Sequence, residues 1–171
     1  MKNKSALTIY TALLSCLVFL LSVNITEAQE NDIFELSNNL KTSKSSISKK
    51  KNRSDFYNLT YKLHSTIYIG KNSIEKIYGK GKAKKLTFSD TDSFSLLNNN
   101  SKQYNDIELI TITLRSPTDL NKSLNLSNTN KFTNLKYIFI RCYFKCTPEQ
   151  IKAFVKSNSN VRVFYSNEIP S

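Results

Sequence analysis

One seven-residue pattern returns along the second half of the chain and limits what it can fold into. Asp106-Ile107-Glu108-Leu109-Ile110-Thr111-Ile112 aligns with Asn134-Leu135-Lys136-Tyr137-Ile138-Phe139-Ile140, 28 residues on, and then with Asn160-Val161-Arg162-Val163-Phe164-Tyr165-Ser166, a further 26 residues on. A fainter copy, Lys82-Ala83-Lys84-Lys85-Leu86-Thr87-Phe88, lies 24 residues upstream of the first. Each copy is rich in β-branched or aromatic residues and reads as a strand. The segments between them also match. Ser116-Pro117-Thr118-Asp119-Leu120 resembles Thr147-Pro148-Glu149-Gln150-Ile151. Both place a hydroxyl residue to cap a helix and Pro at its first position, where a missing N–H costs nothing. Gln150 completes a capping box with Thr147. Ile151, Phe154 and Val155 then form an apolar helical stripe, and Leu120 and Leu124 a weaker one. A strand–helix–strand repeat demands parallel strands joined by right-handed crossovers. The expected fold is therefore α/β, with parallel strands near 107–114, 135–141 and 161–165 as neighbours in one sheet.

With this pattern the second half resembles a short, divergent leucine-rich-repeat protein, whose strand signature is L-x-x-L-x-L at a period of about 20–29 residues. Ile107, Ile110 and Ile112 fit the signature, as do Leu135, Ile138 and Ile140. Val161 and Phe164 fit, with Ser166 at the third position; Leu86 and Phe88 fit in the faint copy, with Ala83 at the first. The ladder Asn or Cys of that family is absent: Arg115, Tyr143 and Ile169 stand in its place, and Cys142 falls one residue early. The resemblance implies a small solenoid. The alternative is an ordinary open α/β sheet with the same alternation.

The first 28 residues are set apart from this domain. Lys2 and Lys4 precede an apolar run from Ala6 to Val23, and Thr26 and Ala28 supply the small residues of a cleavage site. That three-part pattern is a secretory signal peptide, which places the mature chain outside the cytoplasm, in a periplasm, at a cell surface or in the extracellular space. An uncleaved anchor and a lipoprotein box at Leu13-Leu14-Ser15-Cys16 are the rival readings. Cleavage after Ala28 leaves 143 of the 171 residues, with 23 basic and 12 acidic side chains and a net charge of +11. Residues 29–54 read as a short helix, with Ile33, Leu36 and Leu40 on one face, followed by a flexible basic linker from Lys41 to Ser54. Residues 55–171 read as the α/β domain. Phe56, Leu59 and Leu63 suit a helix, Thr66 to Ile69 a strand ending at Gly70, and Gly79-Lys80-Gly81 a turn. Thirteen Lys or Arg lie between Lys41 and Lys85 against Asp55 and Glu75 alone. That stretch suits contact with an anionic surface, or simply keeps the chain soluble. No nucleic-acid-binding motif accompanies it.

Few residues carry recognisable chemistry. His64 is the single histidine and has no nucleophile or carboxylate placed beside it by any motif. Neither a zinc-type spacing nor a nucleotide-binding loop is present, so no cofactor is implied. Asp90-Thr91-Asp92-Ser93 begins like a calcium loop, but Ser95 and Ser101 stand where its glycine and glutamate belong, and it reads as a turn. Cys142 and Cys146, the cysteines remaining after cleavage, read as a structural disulfide, with free thiols or a redox or metal pair as alternatives. Between the apolar strand positions, alternate residues point to the opposite sheet face. Stacking the copies there gives columns of Thr87, Thr111, Phe139 and Tyr165, and of Lys85, Leu109, Tyr137 and Val163, with Arg141 alongside. The expected site is an exposed cluster of Tyr137, Phe139, Arg141 and Tyr165 that binds a protein or a cell-surface polymer without turnover. In a sheet covered on both faces the same aromatics are core. An exported enzyme on an open α/β sheet is the functional alternative.

Overall fold

The computed structural model describes residues 33–36, 47–98, 102–126, 131–157 and 160–169. The proposed signal peptide and the start of the basic linker lie outside these residues. Among those described, no helix is long and apolar enough to cross a membrane. The fold is α/β, built on a mostly parallel seven-stranded sheet. In chain order the elements are β1 (Ile33–Glu35), α1 (Ile47–Tyr61), β2 (Thr66–Gly70), β3 (Ser73–Tyr78), β4 (Lys85–Phe88), β5 (Leu109–Leu114), β6 (Leu124–Asn125), β7 (Tyr137–Cys142), α2 (Pro148–Phe154), β8 (Val155–Lys156) and β9 (Arg162–Asn167), with 3-10 turns at Asp92–Asn98, Lys102–Tyr104 and Pro117–Asn121. The large sheet runs β1-β9-β7-β5-β4-β2-β3, and β6 and β8 form a second, two-stranded one.

The strands expected from the repeat form, and they pair in parallel as neighbours: β4 with β5, β5 with β7, β7 with β9. β2 extends the series as a parallel neighbour of β4. Successive right-handed crossovers that always step the same way leave every connection on one face. Accordingly Leu97, Tyr104, Leu124, Leu126, Ile151, Phe154 and Val155 from the connections share one core with Ile67, Leu86, Ile110, Ile112, Ile138 and Ile140 from the strands. α2 begins as its sequence demands: Gln150 N–H donates to Thr147 Oγ1 at 3.3 Å, and Thr147 N–H donates to Gln150 Oε1 at 2.9 Å. At the Ser116-Pro117 start the chain makes only a 3-10 turn, held by Asp119, whose carboxylate accepts from the N–H of Arg115 at 2.7 Å and of Ser116 at 3.0 Å.

Three expectations for the first half are corrected. Residues 33–35 are not helical; they form β1, which pairs in parallel with β9. Three residues on a sheet edge gain backbone partners that a short isolated helix would lack. The stretch 47–54, expected as linker, is the first half of α1. Its polar sequence is ordered from its C-terminal end, where Phe56 and Leu59 are buried against the sheet. Leu63 lies beyond that helix and is 83% exposed.

The register of β9 is the fourth correction. Val163 stands beside Ile138, Phe164 beside Phe139 and Tyr165 beside Ile140, one place away from the sequence alignment. A slip of one residue exchanges the two faces of a strand. Tyr165 therefore joins the connection-side core, and Phe164 takes its place next to Phe139 on the opposite face.

Candidate functional site

The face expected to be open is roofed by α1. Phe56 stacks on Phe164 at 4.1 Å between ring centroids and meets Tyr137 and Phe139 edge-on, each at 5.6 Å. Phe34 of β1 stacks on Phe164 from the other side at 5.3 Å. Tyr137 and Phe139 are each 4% exposed and Tyr165 is 1% exposed. The expected cluster is thus not a surface. Tyr137 and Phe139 belong to one core and Tyr165 to the other, because a strand such as β7, apolar at successive positions from Tyr137 to Ile140, needs cover on both faces. Tyr137 keeps its hydroxyl satisfied on Asp55, 3.3 Å away. Burial, and then the charge of Asp55, push its pKa up. Burial and the neighbouring Glu35 carboxylate push Tyr165 up to about 12.

Arg141, the fourth member, lies at the C-terminal ends of the strands. Its guanidinium donates to both carboxylate oxygens of Glu168, to Oε2 at 2.6 Å and to Oε1 at 3.0 Å, and to Tyr143 Oη at 3.2 Å. Ser166 Oγ also donates to Glu168, at 2.9 Å. The bond from Arg141 holds the Glu168 carboxyl below its usual range. Cys142 and Cys146 sit beside this network as two buried free thiols. Their side chains are hydrogen-bonded to each other, so the pair is adjacent although the expected disulfide is not formed in this structure. Burial pushes both thiols up, away from the reactive thiolate. Asn167 fixes this turn by accepting from Cys146 N–H at 2.9 Å and donating to Glu35 at 2.9 Å. His64 lies at the other end of the sheet, just before β2, with Nε2 3.1 Å from the Asn58 carbonyl oxygen. No group of three metal-ligating side chains occurs among the described residues.

The apolar surface that remains exposed is elsewhere. Among the described residues, of the large hydrophobic side chains that are exposed, Tyr61, Leu63, Tyr68, Ile74, Ile77 and Tyr78 all belong to one segment, and only Ile169 lies outside it. That segment is the end of α1 and the β2–β3 hairpin. Tyr61 is 70% and Ile77 57% exposed. Lys62, Lys71, Lys76 and Lys80 lie in the same segment, and none forms an ion pair among the described residues. Lys82 and Lys84 are paired with Asp106 and Glu108.

The hairpin is held firmly. Lys71 and Asn72 both have positive φ, 50° and 56°, the conformation of the tight turn whose twist matches that of the strands. Their backbone donors are taken up by Asp90-Thr91-Asp92-Ser93. Lys71 N–H donates to Asp90 Oδ2 at 2.8 Å, Asn72 N–H to Ser93 Oγ at 2.9 Å, and Ser93 N–H to Asp90 Oδ1 at 2.9 Å. The sequence that began like a calcium loop is a clamp on the hairpin tip. At Gly70 an added Cβ would meet Ser89 Oγ and the Glu75 carboxylate, so a larger residue there would displace both side chains. At the other end Ser65 Oγ donates to the Tyr78 carbonyl at 3.2 Å. Gly79 passes at φ +87° against the Ser65 backbone.

Sequence reasoning missed this surface because Ile74 and Ile77 look like core residues in a strand. Only the absence of any apolar segment left over to cover them could have given it away. No family model matches the chain, and no similar curated protein or solved structure was found.

Proposed function

We propose that this chain is an exported, non-catalytic binding or adhesion module, built as a short leucine-rich-repeat-like solenoid, that contacts a protein or a cell-surface polymer. The export reading rests on the charged start, apolar run and Thr26-x-Ala28 pattern. The solenoid reading is supported by the parallel strands β2, β4, β5, β7 and β9, which step across the sheet in chain order with the connections between them on one face. The observation that carries the binding reading is the gathering, in residues 61–80, of exposed apolar side chains and of lysines that form no ion pair among the described residues. An exposed apolar patch rimmed by charge marks a contact surface. The contact face expected over Phe139 and Tyr165 moves to this hairpin, because those rings are buried. The basic stretch 41–85 favours an anionic partner.

The test uses the mature chain on polyglutamate, on a sulfated glycan and on phosphatidylglycerol vesicles, each against a neutral control. Retention on an anionic matrix should fall when Leu63, Ile77 and Tyr78 are changed to Ser, with stability altered by no more than about 0.5 kcal/mol per site. Retention that ignores these changes would remove the hairpin from the reading.

A second reading, a small exported enzyme on an open α/β sheet, is favoured by one observation. Arg141, Tyr143, Ser166 and Glu168 gather at the strand C-termini, where such sheets place their catalytic groups. Their polar atoms are engaged with one another, which suits a structural network better. Hydrolytic turnover by the native chain that disappears in Glu168→Gln would favour the enzyme.

A further inference from the structure

β3 ends the sheet. Among the described residues it pairs with β2 alone, which leaves the backbone N–H and C=O groups of its outer edge open, and all six of its residues are exposed. Folded proteins commonly blunt such an edge, because it is a template for another strand. Here the edge is clamped at its tip by Asp90 and Ser93 and at its end by Ser65. A strand fixed at both ends and covered by nothing among the described residues loses little further freedom on pairing. Its two faces differ. Ile77 is level with Ile67 and Ile74 with Ile69, so both isoleucines continue the apolar side of the sheet. Lys76 is level with Tyr68 and Tyr78 with Thr66, on the α1 side. Glu75 is the extra residue of the register shift between these pairs.

We propose that β3 takes up an extended peptide segment as an added strand, one whose side chains alternate between aliphatic and acidic. Its backbone would complete the open edge of the sheet, the recognised mode of strand addition. Its aliphatic residues would lie beside Ile74 and Ile77, and its carboxylates beside Lys76, with Lys71 and Lys80 near the ends. A second copy of this chain is opposed by the repulsion between two chains that each carry a mature net charge of +11. The proposal rests on the reading of the hairpin as the contact surface and adds to it the partner's chemistry.

The experiment titrates the isotope-labelled mature chain with a synthetic peptide of about eight residues, strand length, in which Val alternates with Glu. Amide exchange is followed along the whole chain. The outward amides of Ser73–Tyr78 should slow by roughly tenfold or more as the added strand forms. The Lys76→Glu variant should lose about fivefold or more in affinity for this peptide and gain affinity for the matching Val–Lys peptide. Equal protection by both peptides in the native chain, or none in Ser73–Tyr78, overturns strand addition. So does protection of these amides by phosphatidylglycerol vesicles alone, or by self-association seen in sedimentation without peptide. Retention on an anionic matrix without protection of Ser73–Tyr78 overturns strand addition and leaves the broader binding reading standing. Loss of both removes both.

Discussion

Phe139 and Tyr165 look alike in the sequence and lie on opposite faces of the sheet. Each is buried, Phe139 beneath Phe56 and Tyr165 among the residues packed on the connection side. Truncating either to Ala leaves a cavity the neighbours only partly fill, so each change should cost roughly 3–5 kcal/mol of folding stability. Thermal or denaturant unfolding measures this, and a loss of under about 1 kcal/mol would contradict the burial. Asp90 acts differently. Burial raises its pKa, but the bonds from Ser93, Lys71 and Ser89 together outweigh that and leave it depressed. A carboxylate depressed in the folded state contributes stability that is complete above its unfolded value of about 4 and is lost as pH falls through the folded value. The hairpin tip should therefore loosen in acid before the sheet does. Asp90→Asn should reproduce that at neutral pH, as faster exchange at the Lys71 amide with exchange in β7 unchanged. The paired Thr147 and Gln150 were legible because a capping box is purely local. The facing of Tyr165 was not, because a one-residue difference in strand register leaves no mark on the pattern of apolar residues.

At the level of elements, what the sequence conveyed well was whatever repeats. β4, β5, β7 and β9 share a pattern, and shared patterns place strands side by side. The elements that were misread have no pattern of their own. β1 is three residues whose only reason to be extended is the edge of β9. α1 has no acidic residue in its first turn to complement the helix dipole. Among the described side chains, its apolar contribution is the buried Phe56 and Leu59 with the half-buried Tyr57 packed against them. Tertiary packing, not local preference, decides such a helix. The turn from β7 into α2 gives an element-scale prediction. Cys142 and Cys146 are adjacent there, and in an oxidising compartment a small-molecule or protein disulfide accepts two electrons as both thiols lose their protons and the S–S bond forms. Protein recovered from an exporting host should resist thiol alkylation under denaturing conditions until reductant is added. Ready alkylation of both cysteines without reductant would assign them to the core as permanent thiols. Because the bridge would close a very short loop, its loss should change stability little through chain entropy.

The whole molecule depends on a sheet whose two faces are covered in unequal ways. The connection side is assembled from several segments and survives small defects in any one of them. The other side depends on α1 for most of its cover, with Phe34 and Leu36 at its margin. A parallel sheet with apolar residues on both faces is stable only when both are shielded from water. Phe56 is the key contact, because its ring touches Tyr137, Phe139 and Phe164 together. Placing a carboxylate there, as in Phe56→Asp, would bury an unpaired charge or release the helix; release costs less, since an isolated buried charge is far more expensive than lost packing. The variant should therefore expose Leu109, Tyr137, Phe139 and Phe164 as one continuous apolar patch while the connection-side core stays formed. The expected signs are binding of a hydrophobic dye, a lower melting temperature and fast exchange throughout α1, with β5 and β7 still protected by their ladder bonds. Phe56→Leu, which keeps an apolar group in place, should show little dye binding and a loss of about 1–2 kcal/mol. If Phe56→Asp unfolds β5 and β7 as well, the two layers form one cooperative unit and α1 is as essential to the sheet as the crossovers. If it binds no dye and keeps its melting temperature, α1 does not shield this face.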